Sequence, residues 1–256
     1  MRPAMTSADM LAWCNRGLKE HLEGVAKFVM LDEEYLAEAR DKVKAMIDLE
    51  LDVESLKREV LSTVNEIKAL VGADLPDKFV AYTAYLHDVG KAIREYQERF
   101  KMAGRNCRVS LAGHEFWSSY IAYYALRGFF DEQLATDGAV AVALHHSSKR
   151  YFDDVVYNAL KVNTTPDDIS TMFQLAEEGL RVVGLQPGSE FERFVAVGKY
   201  AYKTYGLARA RERLLFARSG VVELLSYLIA LADNFDYALS DMGIIDVVVF
   251  KRFLRP

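Results

Sequence analysis

The sequence predicts an all-α fold, on two observations. Apolar residues recur at three- and four-residue spacing almost throughout, and helix-starting punctuation separates the apolar runs. From the N-terminus, Leu11, Leu18, Leu22, Val25, Phe28 and Val29 trace the buried face of a first helix. Pro76 suits the first turn of a helix through Val80 and Tyr85, because a proline there loses no intrahelical bond. Thr165-Pro166 reads as a cap followed by a first-turn proline, and Ser189 with Glu192 forms a capping-box pattern. Residues 244–250 are rich in β-branched side chains and fit a short strand or a docked extension, between which periodicity does not choose.

A chain of 256 residues, 51% hydrophobic and 27% charged, has the composition of a globular protein with a substantial core. A single domain over residues 1–256 is expected, with residues 31–75 as a helical insertion and 244–256 as a C-terminal extension. The longest apolar stretches, such as 121–126, fall far short of the roughly 20 residues a membrane span needs. The first residues lack the apolar core of a signal peptide, so a cytoplasmic location and no membrane partner are expected. Two cysteines, Cys14 and Cys107, build neither a disulfide framework nor a thiolate metal cage. Any metal must be held by His and carboxylate. The net charge of −5 argues against a protein that coats nucleic acid over its whole surface, while leaving room for local basic patches. Residues 31–60 hold ten acidic against five basic side chains and read as a solvated helical face or an insertion.

Chemistry concentrates at the five histidines, His21, His87, His114, His145 and His146. A lone histidine is usually structural, since its ring packs readily and needs one partner per nitrogen. Two tight local signatures, His87-Asp88-Val89-Gly90-Lys91 and His145-His146-Ser147-Ser148, change that judgement. Phe79, Val80, Tyr82, Ala84, Tyr85 and Leu86 read as a strongly buried helix, and Gly90 supplies a stop directly after His87-Asp88. A carboxylate at a buried helix end is costly to desolvate without a cation, whereas one bridging two divalent ions is held charged. Imidazole and carboxylate suit Mn, Fe, Co, Ni or Zn, and carboxylate also accepts Mg.

The ordered set of an isolated His, His-Asp-x-Gly-Lys, Gly-His, His-His and a late Ala-Asp in an apolar helix resembles the HD superfamily of metal-dependent phosphohydrolases. More narrowly, it resembles the stand-alone CRISPR-associated HD nuclease of type I systems, over roughly residues 18–240. The resemblance implies an HD helical bundle around two divalent ions of Mg, Mn, Ni or Co. It implies His21, His87, Asp88 and Asp233 around one ion, and Asp88, His114, His145 and His146 around the second, with Asp88 bridging. It further implies that Lys91 faces the scissile phosphate. The late motif, Ala232-Asp233-Asn234-Phe235-Asp236, carries a second carboxylate that departs from the family pattern; Asp233 is preferred over Asp236.

By that resemblance the chain hydrolyses single-stranded DNA, or single-stranded RNA, beside a separate CRISPR-associated helicase and an RNA-guided surveillance complex. No Walker-type loop, Gly-x-Ser-x-Gly elbow or Gly-x-Gly-x-x-Gly fingerprint occurs. Arg94, Lys149 and Arg150 are candidate phosphate contacts. Arg94 lies in a basic strip over residues 91–108, and the other two lie beside His145-His146. A second basic strip over 199–218, with Tyr200, Tyr202 and Tyr205, reads more readily as a solvated helix with inward tyrosines than as a clamp on bases. Phe116, Trp117, Tyr120, Tyr123 and Tyr124 read mostly as core, with one or two lining the cleft. Two other readings compete: an HD phosphohydrolase of nucleotides, and a catalytically silent HD scaffold docking through residues 31–60.

Overall fold

A computed structural model describes residues 9–13, 16–72, 75–103, 109–146, 152–240 and 253–255. Cys14, Cys107, Ser147, Ser148, Lys149, Arg150 and the stretch 244–250 lie outside the described residues. The expected all-α class holds, with four very short strands among the described residues. Leu11 departs from expectation. It belongs to β1 (Leu11–Trp13), paired antiparallel with β2 (Arg16–Gly17), so the apolar period becomes helical only from Leu18.

Helices α1 (Leu18–Val29), α2 (Glu33–Ile47) and α3 (Val53–Val71) follow, with β3 (Glu50–Leu51) between the last two. Two residues of the acidic segment, Asp32 and Asp52, are N-caps that accept the amides of Tyr35 and Ser55. Other acids there pair locally, as in Lys57–Glu33 and Lys42–Glu38, which is the behaviour of solvated helix faces. α4 (Asp77–Tyr85) is buried on every side from Phe79 onward, with Pro76 as its N-cap, one position before the first turn. Gly90 does not stop the helix. The chain continues as a fully buried 3-10 segment, Leu86–Ala92, because Gly90 lies against α6 (His114–Arg127), where a Cβ would sit 2.2 Å from the His114 carbonyl oxygen. α5 (Arg94–Ala103) precedes α6.

α7 (Glu132–Leu144) forms with α6 the most extensive helix pair, and α8 (Phe152–Ala159) packs on both. α9 (Pro166–Val182) starts as expected: Thr165 and Asp168 complete a capping box ahead of Pro166. α10 (Ser189–Ala201) does not, for its N-cap is Gly188 and no side chain caps it. α11 (Leu207–Phe216) and α12 (Ser219–Ser240) follow, and β4 (Leu254–Arg255) pairs antiparallel with β3. α12 packs on α1, α3 and α7. Its start is pinned by Arg218, whose backbone amide and Nε both donate to the buried Asp137 of α7. Among the described residues, no single helix is long and apolar enough to cross a membrane.

Candidate metal centre

The seven expected ligands come together. They form two groups sharing Asp88: His21, His87, Asp88 and Asp233 in one, and Asp88, His114, His145 and His146 in the other, with ligand atoms in each group within 4.8 Å of one another. The fold delivers them from the first turns of α1, the 3-10 segment, the start of α6, the end of α7 and the middle of α12. Gly113 makes the α6 start possible: its φ of 99° belongs to the left-handed region, and a Cβ would meet the Ala159 amide nitrogen at 2.4 Å.

The two oxygens of Asp88 face different groups. Oδ2 lies 3.2 Å from His21 Nε2 and 3.3 Å from His87 Nε2. Oδ1 lies 2.7 Å from His114 Nε2 and 3.6 Å from His145 Nε2. Asp233 Oδ1 completes the first group, 3.3 Å from His21 Nε2 and 3.6 Å from His87 Nε2. Rings of His145 and His146 stack at 3.9 Å, which brings His146 beside the second group.

Hydrogen bonding on the far side of each ring sets which nitrogen is free. His87 Nδ1 lies 2.8 Å from the Ala84 carbonyl, His114 Nδ1 2.8 Å from that of Leu111, and His145 Nδ1 2.6 Å from that of Val142. A carbonyl only accepts, so each Nδ1 carries a proton, and each ring in its neutral form presents the Nε2 lone pair inward. Asp88 Oδ1, His114 Nε2 and His145 Nε2 are buried and make no hydrogen bond. The short His114–Asp88 contact then sets acceptor against acceptor, which costs energy unless a cation or an extra proton lies between them. That donor set fits divalent ions bound through imidazole and carboxylate.

The charge states differ on the two sides of Asp88. Burial disfavours the His21 cation, but Asp233, Asp236 and Asp88 outweigh it and raise the His21 pKa to about 10. His87 is raised too, Asp88 and Asp233 overcoming its burial. Burial pushes the Asp88 and Asp233 carboxyls up, yet both are held well below the usual range, Asp88 by His87, Lys91 and His114, and Asp233 by His21 and His87. On the other side, burial and the neighbouring His87 depress His145 to about 4, and burial with His145 keeps His146 neutral.

Lys91 Nζ lies 2.5 Å from Asp88 Oδ2 and 5.3 Å from the Trp13 ring centroid. Arg94 is exposed, and its backbone amide donates to Asp168. Of the aromatic residues after His114, Phe116, Trp117, Tyr120 and Tyr124 are buried, as a core reading requires. Tyr123 and Tyr124 line a cleft of about 730 Å³ with Phe194, Arg209, Arg213 and Phe216. That cleft sits toward the end of the α6–α7 pair away from His114 and His145. Within the 199–218 strip, Tyr205 is buried, Arg213 stacks 3.4 Å from the Tyr123 ring centroid, and Arg211 pairs with Asp153. Arg211, Arg213 and Arg218 of the basic strip are thus engaged within the chain, whereas Tyr200 is exposed and not packed inward as expected.

Sequence reasoning missed two residues at the centre. Trp13 stacks edge-on at 4.5 Å from the His21 ring. Asp236, the less favoured of the two late carboxylates, was given no role beyond that of an alternative ligand, and it accepts from His21 Nδ1 at 2.9 Å. The three-residue step from Asp233 to Asp236 on one helix face was a usable signal for the second; Trp13 had none.

No protein-family model matches the chain. It is 30% identical over 142 residues to a CRISPR-associated endonuclease Cas3-HD of Methanocaldococcus jannaschii, across 54% of this chain and 48% of that protein. It is 32% identical over 112 residues to a protein of the same description from Pyrococcus furiosus, across 42% of this chain and 45% of that one. The match thus spans just under half the length of each curated relative. Among solved structures, a CRISPR-associated Cas3 HD domain protein of M. jannaschii aligns with 87% of this chain and 98% of its own, at 22% identity and a TM-score of 0.42. Over about half of its length the chain is thus similar in sequence to Cas3-HD proteins, and its ordered His and Asp set is gathered inside a helical bundle.

Proposed function

We propose that the chain is a metal-dependent nuclease that hydrolyses single-stranded DNA in CRISPR interference, with a separate helicase and an RNA-guided surveillance complex as partners. One observation carries the reading: each carboxylate oxygen of Asp88 faces its own set of imidazoles, as a bridging ligand between two cations requires. Under this reading His21, His87, Asp88 and Asp233 hold one divalent ion, and Asp88, His114, His145 and His146 hold the other. Divalent ions, when bound, supply a nucleophilic water at neutral pH and neutralise charge on a phosphodiester. The protein contributes orientation. Carbonyls of Ala84, Leu111 and Val142 lock three rings in one tautomer, and burial keeps bulk water from competing. Lys91, beside Asp88 and over Trp13, supplies a positive charge for the phosphate. Mg, Mn, Ni and Co all suit the donor set. The names of the two relatives support the nuclease class and the CRISPR setting.

Digestion of an end-labelled single-stranded DNA oligonucleotide with Mg, Mn, Co or Ni tests this. Cleavage that needs metal and falls by about a thousandfold or more in Asp88→Ala is expected, since both ion positions lose a ligand together. Hydrolysis of nucleotides with no cutting of oligonucleotides would instead establish a nucleotide phosphohydrolase.

A further inference from the structure

We propose that Asp236, braced by Arg16 and Tyr35, is a positioning carboxylate that holds His21 through its Nδ1, aims Nε2 at the centre and so sets the cation affinity of the His21 side. The inference rests on the metal-binding reading above and adds residues that the reading does not contain. His87, His114 and His145 each donate their Nδ1 proton to a neutral carbonyl. His21 faces an anion there instead: Asp236 Oδ2, 2.9 Å from its Nδ1. An anionic acceptor withdraws that proton more strongly, leaving Nε2 a better donor to a cation.

Asp236 is completely buried, and it is held from three sides. Arg16 Nη2 donates to Oδ1 at 2.8 Å and Arg16 Nε to Oδ2 at 3.3 Å. The Tyr35 hydroxyl donates to Oδ1 at 3.0 Å. With His21, four donors thus meet two oxygens, so the carboxylate has one orientation. Gly24 completes the arrangement, because a Cβ at that position would stand 2.1 Å from Oδ1. A glycine one turn after His21, an arginine before the helix, a tyrosine on α2 and an aspartate on α12 are mutually fitted around one imidazole.

The test is a Mn²⁺ titration of the full chain, followed by electron paramagnetic resonance of the free ion. Wild-type protein should show two binding steps, one of which His21→Ala abolishes. Asp236→Asn keeps the shape but not the charge and should weaken that step by about tenfold or more, leaving the other step unchanged as an internal check on folding. Gly24→Ala should act in the same direction, as should Tyr35→Phe, more mildly. Two wild-type steps that ignore Asp236→Asn, or that it weakens equally, would overturn the positioning role while sparing the metal reading. A wild-type chain that takes up no Mn²⁺ would overturn both.

Discussion

With Nδ1 of His87, His114 and His145 each tied to a carbonyl three residues earlier, these side chains have one nitrogen left, and all three point it at Asp88 or its neighbours. The residues on the two sides of Asp88 differ in how readily they accept a cation. His145 and His146 are neutral at pH 7, so a cation entering there displaces no proton from them. His21, with its pKa raised to about 10, carries a proton in the metal-free protein throughout the neutral range. Binding on that side must release it. Because the released proton is a product, higher pH favours binding, and apparent affinity should rise by up to about tenfold per pH unit until roughly the His21 pKa. Titration calorimetry in buffers of different ionisation enthalpy would show the released proton. Affinity on the His21 side that is flat between pH 7 and 9 would contradict it.

At the scale of elements, the 3-10 segment Leu86–Ala92 does what a regular helix would not. It keeps His87, Asp88 and Lys91 buried on a tight turn while bringing the backbone against α6. Contact there is close: the Gly90 amide donates to Ser118 Oγ at 2.8 Å, and an added Cβ would stand 2.2 Å from the His114 carbonyl oxygen and 2.9 Å from the Ser118 nitrogen. Neither neighbour is a flexible side-chain end. Gly90→Ala should therefore cost about 2–3 kcal/mol of stability through overpacking and should also disturb both Asp88 and His114. Urea unfolding measures the first and bound metal per chain the second. A variant with wild-type stability and metal content would show that α6 can shift freely.

Over the whole molecule, the centre is where α1, α6, α7, α12 and the 3-10 segment converge, so each is held by packing and by the ligands it shares with the others. Like charges and opposed acceptors at that point are a local weakness until a cation arrives. A divalent ion at a hundredfold its dissociation constant should add about 2.7 kcal/mol, or roughly 5–10 °C in melting temperature for a chain of this size. Thermal melts with excess Mn²⁺ against a chelator give the difference directly. Asp88→Ala should melt at the same temperature in both; an equally large shift in that variant would place the stabilising ion elsewhere.

That these His and Asp residues meet at one place was legible without a structure, because adjacent His-Asp and His-His pairs stand out in the sequence and a family resemblance orders them. So was the helical class, since a 3.6-residue apolar period is a property of local sequence. Thr165-Pro166 was legible for the same reason: a capping box closes within four residues. Ser189 misled because Gly188 takes the cap position, an extended backbone choice that the pattern of Ser and Glu does not record. What only the tertiary structure decided are the assignments that depend on distant partners. Asp236 reaches His21 across 215 positions, Arg16 across 220 and Tyr35 across 201, and no local pattern encodes such meetings. Which oxygen of Asp88 faces which imidazoles, and that Gly90 serves close packing and not helix termination, follow likewise from how whole helices pack, since an atom's partners are set by three-dimensional proximity and not by order along the chain.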